Sequence, residues 1–336
     1  MKTKHVNEML LGIFLFHIVL EVGVICYSAH HVIPTTMGLL LGQLSLMIPA
    51  GIFFLIYLAR CEKGQRFKMV TERFHFKKIK GKSIAMIIVF TYLMMPLTTV
   101  VNAISMLFVD NTMMAMSDEI LSLSFPVMIF LVAILPAMNE EFIFRGMVYG
   151  AYRKEGRIWP AVILSGLVFG FMHMNINQAM YAFLLGVTMA LLFEATGSIW
   201  ATILFHFVTN GNSSVLMYAM DKFASGLLEE QAEAVNTPDQ LFMVLGIYLV
   251  IAAITTPIAI CILYWLSKNE KGYFPFIKAK KKQKVESSDT FKLTEESNLT
   301  EAAEKKKGQP IVTIPYLLFV ACCLIYMIVQ EILLRV

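Results

Sequence analysis

The sequence of 336 residues is 57% hydrophobic and only 15% charged, and its mean hydropathy is +0.67. Soluble globular domains are ~45–50% apolar and ~25% charged, so this composition excludes an ordinary soluble protein. The formal net charge of +4 comes from Lys and Arg clustered in a few segments, which indicates membrane topology and not nucleic-acid binding. The five cysteines form no CxxC or Cys/His metal spacing, and we expect them to be reduced.

Nine apolar runs are each close to the ~20 residues that cross a bilayer, and they predict an all-α, polytopic membrane bundle. The predicted spans are 9–29, 37–59, 84–109, 122–152, 158–176, 178–195, 198–219, 240–267 and 311–334. The first run follows Lys2 and Lys4, as the apolar part of a signal peptide would. No small-residue cleavage site leading into a polar chain comes after it, so we interpret it as a retained first helix.

Three basic segments between these spans predict the orientation of the chain. They cover 60–83, 153–157 and 268–310, and with nine spans they all fall on one side of the membrane. The positive-inside rule assigns that side to the cytoplasm, with the N-terminus inside and the C-terminus outside.

The chain is predicted to divide into three parts. Residues 1–267 would form the polytopic domain, with the chemistry-bearing core at about 122–219. Residues 268–310 are rich in Lys, Glu, Ser and Thr, which favours a disordered cytoplasmic linker over a folded module. Residues 311–336 would add a ninth helix to a core of eight.

The densest group of polar residues inside a predicted span is the segment NEEFIFRG at 139–146. Burying an ionisable residue at mid-bilayer costs ~2.5–3.5 kcal/mol on insertion scales, so such residues usually mark a function. Glu141 and Arg145 stand four residues apart and can pair along one helix face. Glu140 is rotated by ~100° from Glu141, so it is free to face a cavity as a general base. The alternative is a purely structural ion pair, or a helix end at the membrane interface.

A second group lies in FGFMHMN at 169–175, which contains His173. A lone histidine in an apolar helix is more often a satisfied core residue than a catalytic one. However, Gly166 and Gly170 form a face of small residues that permits close helix approach. We expect that face to bring His173 against the helix of Glu140.

The third group is HFVTN at 206–210. His206 and Asn210 share a helix face, and both side chains can donate hydrogen bonds, as stabilisation of an oxyanion requires. A polar clasp between two helices is the alternative interpretation.

Counting ~1.5 Å per residue from the predicted cytoplasmic helix ends places these groups at similar depths. Glu140 comes out at roughly 20 Å, His173 at about 22 Å and Asn210 at about 18 Å. His206 comes out shallower, near 12 Å. A carboxylate, an imidazole and an amide are thus predicted to meet at one level.

The patterns EExxxR, FxxxH and HxxxN, in this order on successive apolar segments, resemble the CPBP family over roughly residues 125–212. This family comprises the CAAX prenyl proteases of type 2 and bacteriocin-processing intramembrane peptidases. The resemblance implies a role for each matched residue. The water-activating pair would be Glu140 and His173, the supporting residues Glu141, Arg145 and Phe169, and the oxyanion donors His206 and Asn210.

The resemblance also implies metal dependence, although the sequence has no HExxH. Glu140, His173 and His206 are candidate zinc ligands, since carboxylate and imidazole both suit that ion. The same residues also serve a metal-free water mechanism, and both possibilities stay open.

The expected function is that of an intramembrane endopeptidase in a bacterial plasma membrane. Its partners would be membrane lipids and a hydrophobic or lipid-modified peptide substrate, with no nucleic acid. The alternative is a non-enzymatic protein of the same fold, either a bacteriocin self-immunity factor or a signalling scaffold. A proton-coupled transporter would also bury Glu and His, but it predicts repeated halves that this sequence does not show.

Overall fold

The structure is a computed structural model that describes residues 2–111, 116–155, 157–223, 238–276, 310–333 and 335. Over these residues the chain forms α-helices and no strand, so the predicted helical membrane bundle is confirmed. In chain order the helices are α1 (Thr3–Ser28), α2 (Thr35–Ala59), α3 (Arg66–Phe74), α4 (Gly81–Met106), α5 (Ser117–Leu121), α6 (Phe125–Arg153), α7 (Ile158–Phe171), α8 (Ile176–Thr196), α9 (Ile199–Phe223), α10 (Pro238–Lys271) and α11 (Ile314–Leu333).

Seven of the described helices are long and apolar enough to cross a membrane, namely α1, α2, α4, α6, α8, α10 and α11. Helix α7 has only 14 residues and is therefore ~20 Å long, too short for a ~30 Å hydrocarbon core. The predicted span 158–176 is thus a short helix followed by a turn inside the bundle. The chain is an integral membrane protein, and the count of nine crossings stays a prediction.

One end of the bundle, called here the basic end, brings segments that are distant in sequence into contact. At the end of α6, Arg153 forms a salt bridge with Glu194 at the end of α8, with Nε and Oε2 3.1 Å apart. Lys77, which precedes α4, donates to the carbonyl of Glu270 in α10 at 2.8 Å. Parts of all three basic segments therefore lie at the same end, as the predicted orientation requires. That this end faces the cytoplasm stays a prediction.

Helix α11 packs into the body of the bundle against α1. Near the basic end, Asn7 donates to the carbonyl of Ile311 at 2.9 Å and to the hydroxyl of Thr313 at 2.8 Å. Farther along, the Tyr326 hydroxyl donates to the Glu21 carboxylate at 2.6 Å. The ninth helix is thus an integral part of the described fold. Most of the predicted linker, 277–309, lies outside the described residues.

Helix α6, which carries the paired carboxylates, is not a regular α-helix. Two wide π-helical stretches, Ile129–Ile134 and Phe142–Tyr149, flank the α-helical segment Leu135–Glu141. Such wide turns occur frequently at functional sites because they change which side chains face a neighbouring helix. Glu140 and Glu141 lie at the junction between the regular segment and the second wide stretch.

The short helix α7 packs closely against α8. A Cβ atom added to Gly170 would lie 2.6 Å from the carbonyl oxygen of Ala179, and one added to Gly186 would lie 3.0 Å from the Cα of Gly166. The face of small residues on α7 therefore contacts α8, and the expectation that it contacts the helix of Glu140 is wrong. The residue expected to benefit, His173, lies in the turn after α7.

Candidate functional site

A buried ionic network lies where α6 meets α9. Arg145 Nη1 and Glu141 Oε1 are 3.0 Å apart, and the His206 ring nitrogen Nδ1 is also 3.0 Å from Glu141 Oε1. Glu141 is 0% exposed and Arg145 is 2% exposed, so both charges are removed from lipid and water. Arg145 Nη2 also donates to the carbonyl of Gly186 on α8 at 3.2 Å. Glu141 therefore has a cationic partner, Arg145, and a hydrogen-bond partner, His206.

Glu140, the neighbouring carboxylate, has much less support. Its Oε2 atom is buried and has no hydrogen-bond partner within the described residues. Its ion-pair contact within the described residues is with Nε2 of His206, 4.0 Å from Oε2. Glu141 Oε2 is also buried without a hydrogen-bond partner there, but the other oxygen of Glu141 contacts both Arg145 and His206 at 3.0 Å. A buried acceptor without a partner costs free energy, and action on a ligand or reactant is one explanation for it. Glu140 is thus the less strongly paired of the two carboxylates.

His173 is oriented by a hydrogen bond to α7, the helix that precedes it. Its Nδ1 lies 2.8 Å from the carbonyl oxygen of Phe169, and because a carbonyl can only accept, Nδ1 must carry the proton. In the neutral ring Nε2 then holds the lone pair. By the same reasoning, His206 donates from Nδ1 to the Glu141 carboxylate, and its Nε2 faces Glu140. Both imidazoles therefore leave Nε2 free for chemistry.

The Phe169 ring lies at the centre of the site. It meets the ring of His173 edge to face at 5.1 Å between centroids, and that of His206 at 5.9 Å. The Arg145 guanidinium lies over its face, 4.6 Å from the centroid. A cation over an aromatic face is attracted by the ring quadrupole. Phe169 thus connects the ionic network to His173.

Asn210 contacts the backbone of α6. Its Nδ2 donates to the carbonyl of Val132 at 3.1 Å. In a regular helix that carbonyl would accept from residue 136, but residue 136 is proline, which has no backbone N–H. Asn210 therefore supplies the donor that Pro136 lacks. The second hydrogen of the Asn210 amide stays available.

The structure brings most of the predicted site residues together. Glu140, Glu141, Arg145 and His206 form one contact network, which Phe169 links to His173. His206 was expected to be shallower than the carboxylates but meets Glu141 directly. Asn210 lies one helical turn beyond His206 and contacts Val132 instead.

The candidate zinc ligands were Glu140, His173 and His206. Within the described part of the chain, no three His, Cys, Asp or Glu side chains are grouped so that they could hold a metal ion. A zinc site needs at least three protein ligands around one ion, and these side chains as placed do not supply that set. Zinc ligation stays a prediction of the resemblance, and no chemical step is assigned to a metal.

Two sets of polar contacts were not predicted from the sequence. At the basic end, the Tyr149 hydroxyl donates to Glu194 Oε2 at 2.7 Å, next to Arg153. On α3, Arg73 donates from Nη2 to the carbonyl of Met147 at 2.7 Å. Burial lowers the pKa of Arg73 to about 10, so its side chain remains charged at neutral pH. In the sequence, the charged residues of these groups lie near the ends of apolar runs. That position does not indicate which helices come into contact.

Comparison with known proteins bears on the same stretch of chain. A family model described as "Type II CAAX prenyl endopeptidase Rce1-like" matches residues 122–211, which include every residue of the predicted site. This match agrees with the resemblance of the motifs to the CPBP family. A Bacillus subtilis (strain 168) protein named "Putative membrane peptidase YdiL" is 31% identical to the chain over 85 residues. That match covers 25% of this chain and 35% of the relative, so it spans about a third of the curated relative's length. No solved structure matches.

The matched segment coincides with the part of the bundle that carries the candidate site. It begins just before α6 and ends in α9 at Gly211, directly after Asn210. Helices α1, α2, α10 and α11 lie outside it. The similarity therefore applies to the helices that hold the carboxylates and histidines.

Proposed function

We propose that this chain is an intramembrane endopeptidase of the CAAX type 2 kind, in which Glu140 activates a water molecule for attack on a peptide bond. The observation that carries the proposal is the contrast between the two adjacent carboxylates. Glu141 contacts Arg145 and His206 at 3.0 Å, whereas the ion-pair contact of Glu140 within the described residues is with His206 at 4.0 Å, and its buried Oε2 has no hydrogen-bond partner there. A carboxylate in this state is suited to take a proton from water.

In the proposed reaction each of these side chains has one role. Glu140 takes a proton from water as the water oxygen bonds to the peptide carbonyl carbon. The same proton, or one passed through Nε2 of His173, then goes to the leaving nitrogen as the C–N bond breaks. The oxyanion of the intermediate would be held by the free N–H of Asn210 and by His206 when its ring is protonated, since the neutral ring described above can only accept at Nε2.

Water is the proposed nucleophile because the matched motif positions contain no Ser or Cys. No acyl-enzyme should therefore form, and covalent inhibitors directed at serine or cysteine should have no effect.

The depth of the site limits the substrate. Glu140 is 13 residues from the basic end of α6 at Arg153, at most ~20 Å at ~1.5 Å per residue. A folded domain cannot reach that depth, so the substrate must present an extended or unwound segment. This requirement fits a hydrophobic peptide in the membrane, or a chain terminus anchored there by a lipid group.

The test compares the wild-type chain with Glu140→Gln in the same membrane, using proteomics of membrane-bound and secreted peptides. Glu8→Gln serves as the control because Glu8 lies near the N-terminus of α1 with its side chain 47% exposed. We expect peptides that depend on the wild-type chain and Glu8→Gln but vanish with Glu140→Gln. Identical peptide sets in all three would instead support a self-immunity or scaffold protein. If a chelator abolishes cleavage and added zinc restores it, the metal ligand role is supported.

A further inference from the structure

A cluster of buried polar side chains, called here the amide cluster, joins the end of α4 to the start of α8. It consists of Asn102, Ser105 and Asn177. Asn177 Nδ2 donates to Asn102 Oδ1 at 3.0 Å and to the Ser105 hydroxyl at 2.7 Å. Asn177 and Ser105 are both 0% exposed. Because a buried amide that loses its partners pays a desolvation cost of ~1–3 kcal/mol, this contact fixes the first turn of α8 on α4.

The amide cluster lies directly beyond the turn that carries His173. Met174 in that turn has a φ of 52°, in the left-handed region that non-glycine residues rarely occupy. Such a conformation costs ~1–3 kcal/mol and persists only where the surroundings enforce it. Before Met174, His173 is tied to the Phe169 carbonyl. After it, Asn175 accepts from the backbone N–H of Gln178 at 3.0 Å and so caps α8.

Because α7 is short, the turn that follows it needs a contact on its α8 side to hold it in place. Helices that cross the bilayer have both ends at an interface, which limits their axial shifts. Helix α7 ends inside the bundle after 14 residues, so protein contacts alone set the height of its last turn and of His173. In the first turn of α8, directly after this turn, Asn177 provides a polar contact with a different helix, α4.

We propose that Asn177, held by Asn102 and Ser105, is a positioning residue for His173. It fixes the left-handed turn so that Nδ1 of His173 stays bonded to Phe169 and Nε2 stays available to the reaction. That His173 takes part in catalysis rests on the proposed function, whereas its dependence on Asn177 for orientation does not.

The first test uses Asn177→Leu, with Asn7→Leu as a matched control. Asn7 is also 0% exposed and also donates two hydrogen bonds to another part of the chain, but it lies near the basic end. Both variants should lose thermal stability. Only Asn177→Leu should lower kcat, by ~10- to 100-fold, with KM changed less than about twofold, because a misplacement of ~1 Å can cost that much. An equal loss of kcat in both variants would overturn the proposal.

The second test reads the imidazole directly and needs no substrate. The 15N chemical shifts of the His173 side chain, assigned by their absence in His173→Gln, distinguish a ring fixed with the proton on Nδ1 from a ring that averages its tautomers. We expect the fixed state in the wild-type chain and in Asn7→Leu, and averaging in Asn177→Leu. A fixed ring in Asn177→Leu would refute the positioning role, whether or not the chain cleaves peptides.

An isosteric pair separates the hydroxyl of Ser105 from its volume. Ser105→Thr keeps the acceptor for Asn177, whereas Ser105→Val has the same shape without it. The Thr variant should retain the wild-type His173 spectrum, and the Val variant should move toward that of Asn177→Leu. Indistinguishable spectra for Thr and Val would show that Ser105 has no part in the anchor. If the wild-type chain proves as inactive as Glu140→Gln, the proposed function fails while these spectra still decide the positioning role.

Discussion

Glu140 and Glu141 are neighbours in sequence but differ in their electrostatic surroundings. Glu141 is fully buried and contacts Arg145 and His206 at 3.0 Å, whereas Glu140 lies 4.0 Å from His206. Two carboxylates that differ in this way can take different roles, one as a fixed counter-charge and one as a reacting group. Substitution of each by glutamine, which preserves shape, separates these roles.

Glu141→Gln should lower the stability of the folded chain by ~3–5 kcal/mol, because it leaves the Arg145 guanidinium as an unpaired buried charge. Glu140→Gln should unfold within a few degrees of the wild-type chain while losing all cleavage. Thermal unfolding in a mild detergent, followed by a cleavage assay on the surviving protein, measures both. Equal unfolding temperatures and equal residual activity in the two variants would contradict this division of roles.

Asn210 was predicted as an oxyanion donor, and the structure adds a second partner for it. Its amide donates to the Val132 carbonyl, for which Pro136 offers no α-helical donor. The two roles are compatible because the amide has two hydrogens. A single substitution at Asn210 would remove both.

The combination of Asn210→Ala with Pro136→Ala separates these two roles. Asn210→Ala alone should lose stability, since the Val132 carbonyl then loses the hydrogen bond from Asn210, and it should lose turnover. Adding Pro136→Ala gives residue 136 a backbone N–H, so stability should recover by ~1 kcal/mol while turnover stays low. Chemical unfolding and initial rates on the four chains measure this. Recovery of turnover in the double variant would show that Asn210 acts only through the backbone of α6.

At the scale of helices, the packing of α7 on α8 sets where Phe169 and His173 lie. Three glycines allow the two backbones to approach, and a Cβ on Gly186 would also lie 3.0 Å from the Cβ of Phe169. Small residues at such contacts let helix backbones approach closely. Inside a membrane this matters because the hydrophobic effect does not drive helices together, so close packing must do so. The contact therefore holds the centre of the site.

Gly170→Ala should lower stability and reduce cleavage, because the new Cβ would lie 2.6 Å from the backbone oxygen of Ala179, which cannot move alone. A cost of ~1–3 kcal/mol is typical of such overpacking. Gly246→Ala in α10 is the matched control, since nothing lies within 4 Å of its added Cβ. Thermal unfolding of both variants tests this, and a loss for Gly170→Ala no larger than that for Gly246→Ala would refute the close contact.

The long helices were predictable from the sequence, since apolar length alone indicates them, but the short helices α3 and α5 and the early end of α7 were not. It also made the Glu141–Arg145 pair predictable, because a spacing of four depends only on local geometry. The partner of the Gly166 face was not predictable, because a face of small residues does not specify which helix it meets. The amide cluster was not predictable either, since Asn102 and Asn177 are separated by 75 residues.

At the scale of the molecule, contacts between distant segments define the two ends of the bundle. The basic end carries the Arg153–Glu194 and Lys77–Glu270 contacts. At the opposite end, Arg335 donates to the carbonyl of Phe108 at 2.6 Å, just after α4. Helix α4 runs between these ends, so residues before and after it lie at opposite ends of the bundle.

This arrangement predicts that the basic end faces the cytoplasm, because short loops rich in Lys and Arg are retained inside. In a chain without its five cysteines, Tyr273→Cys marks the basic end after α10 and Asp110→Cys marks the opposite end after α4. A maleimide that cannot cross membranes should label Asp110→Cys on intact cells, and Tyr273→Cys only after lysis. Labelling of Tyr273→Cys on intact cells would reverse the orientation and place Glu140 ~20 Å from the outer surface, within reach of secreted peptides instead of cytoplasmic ones.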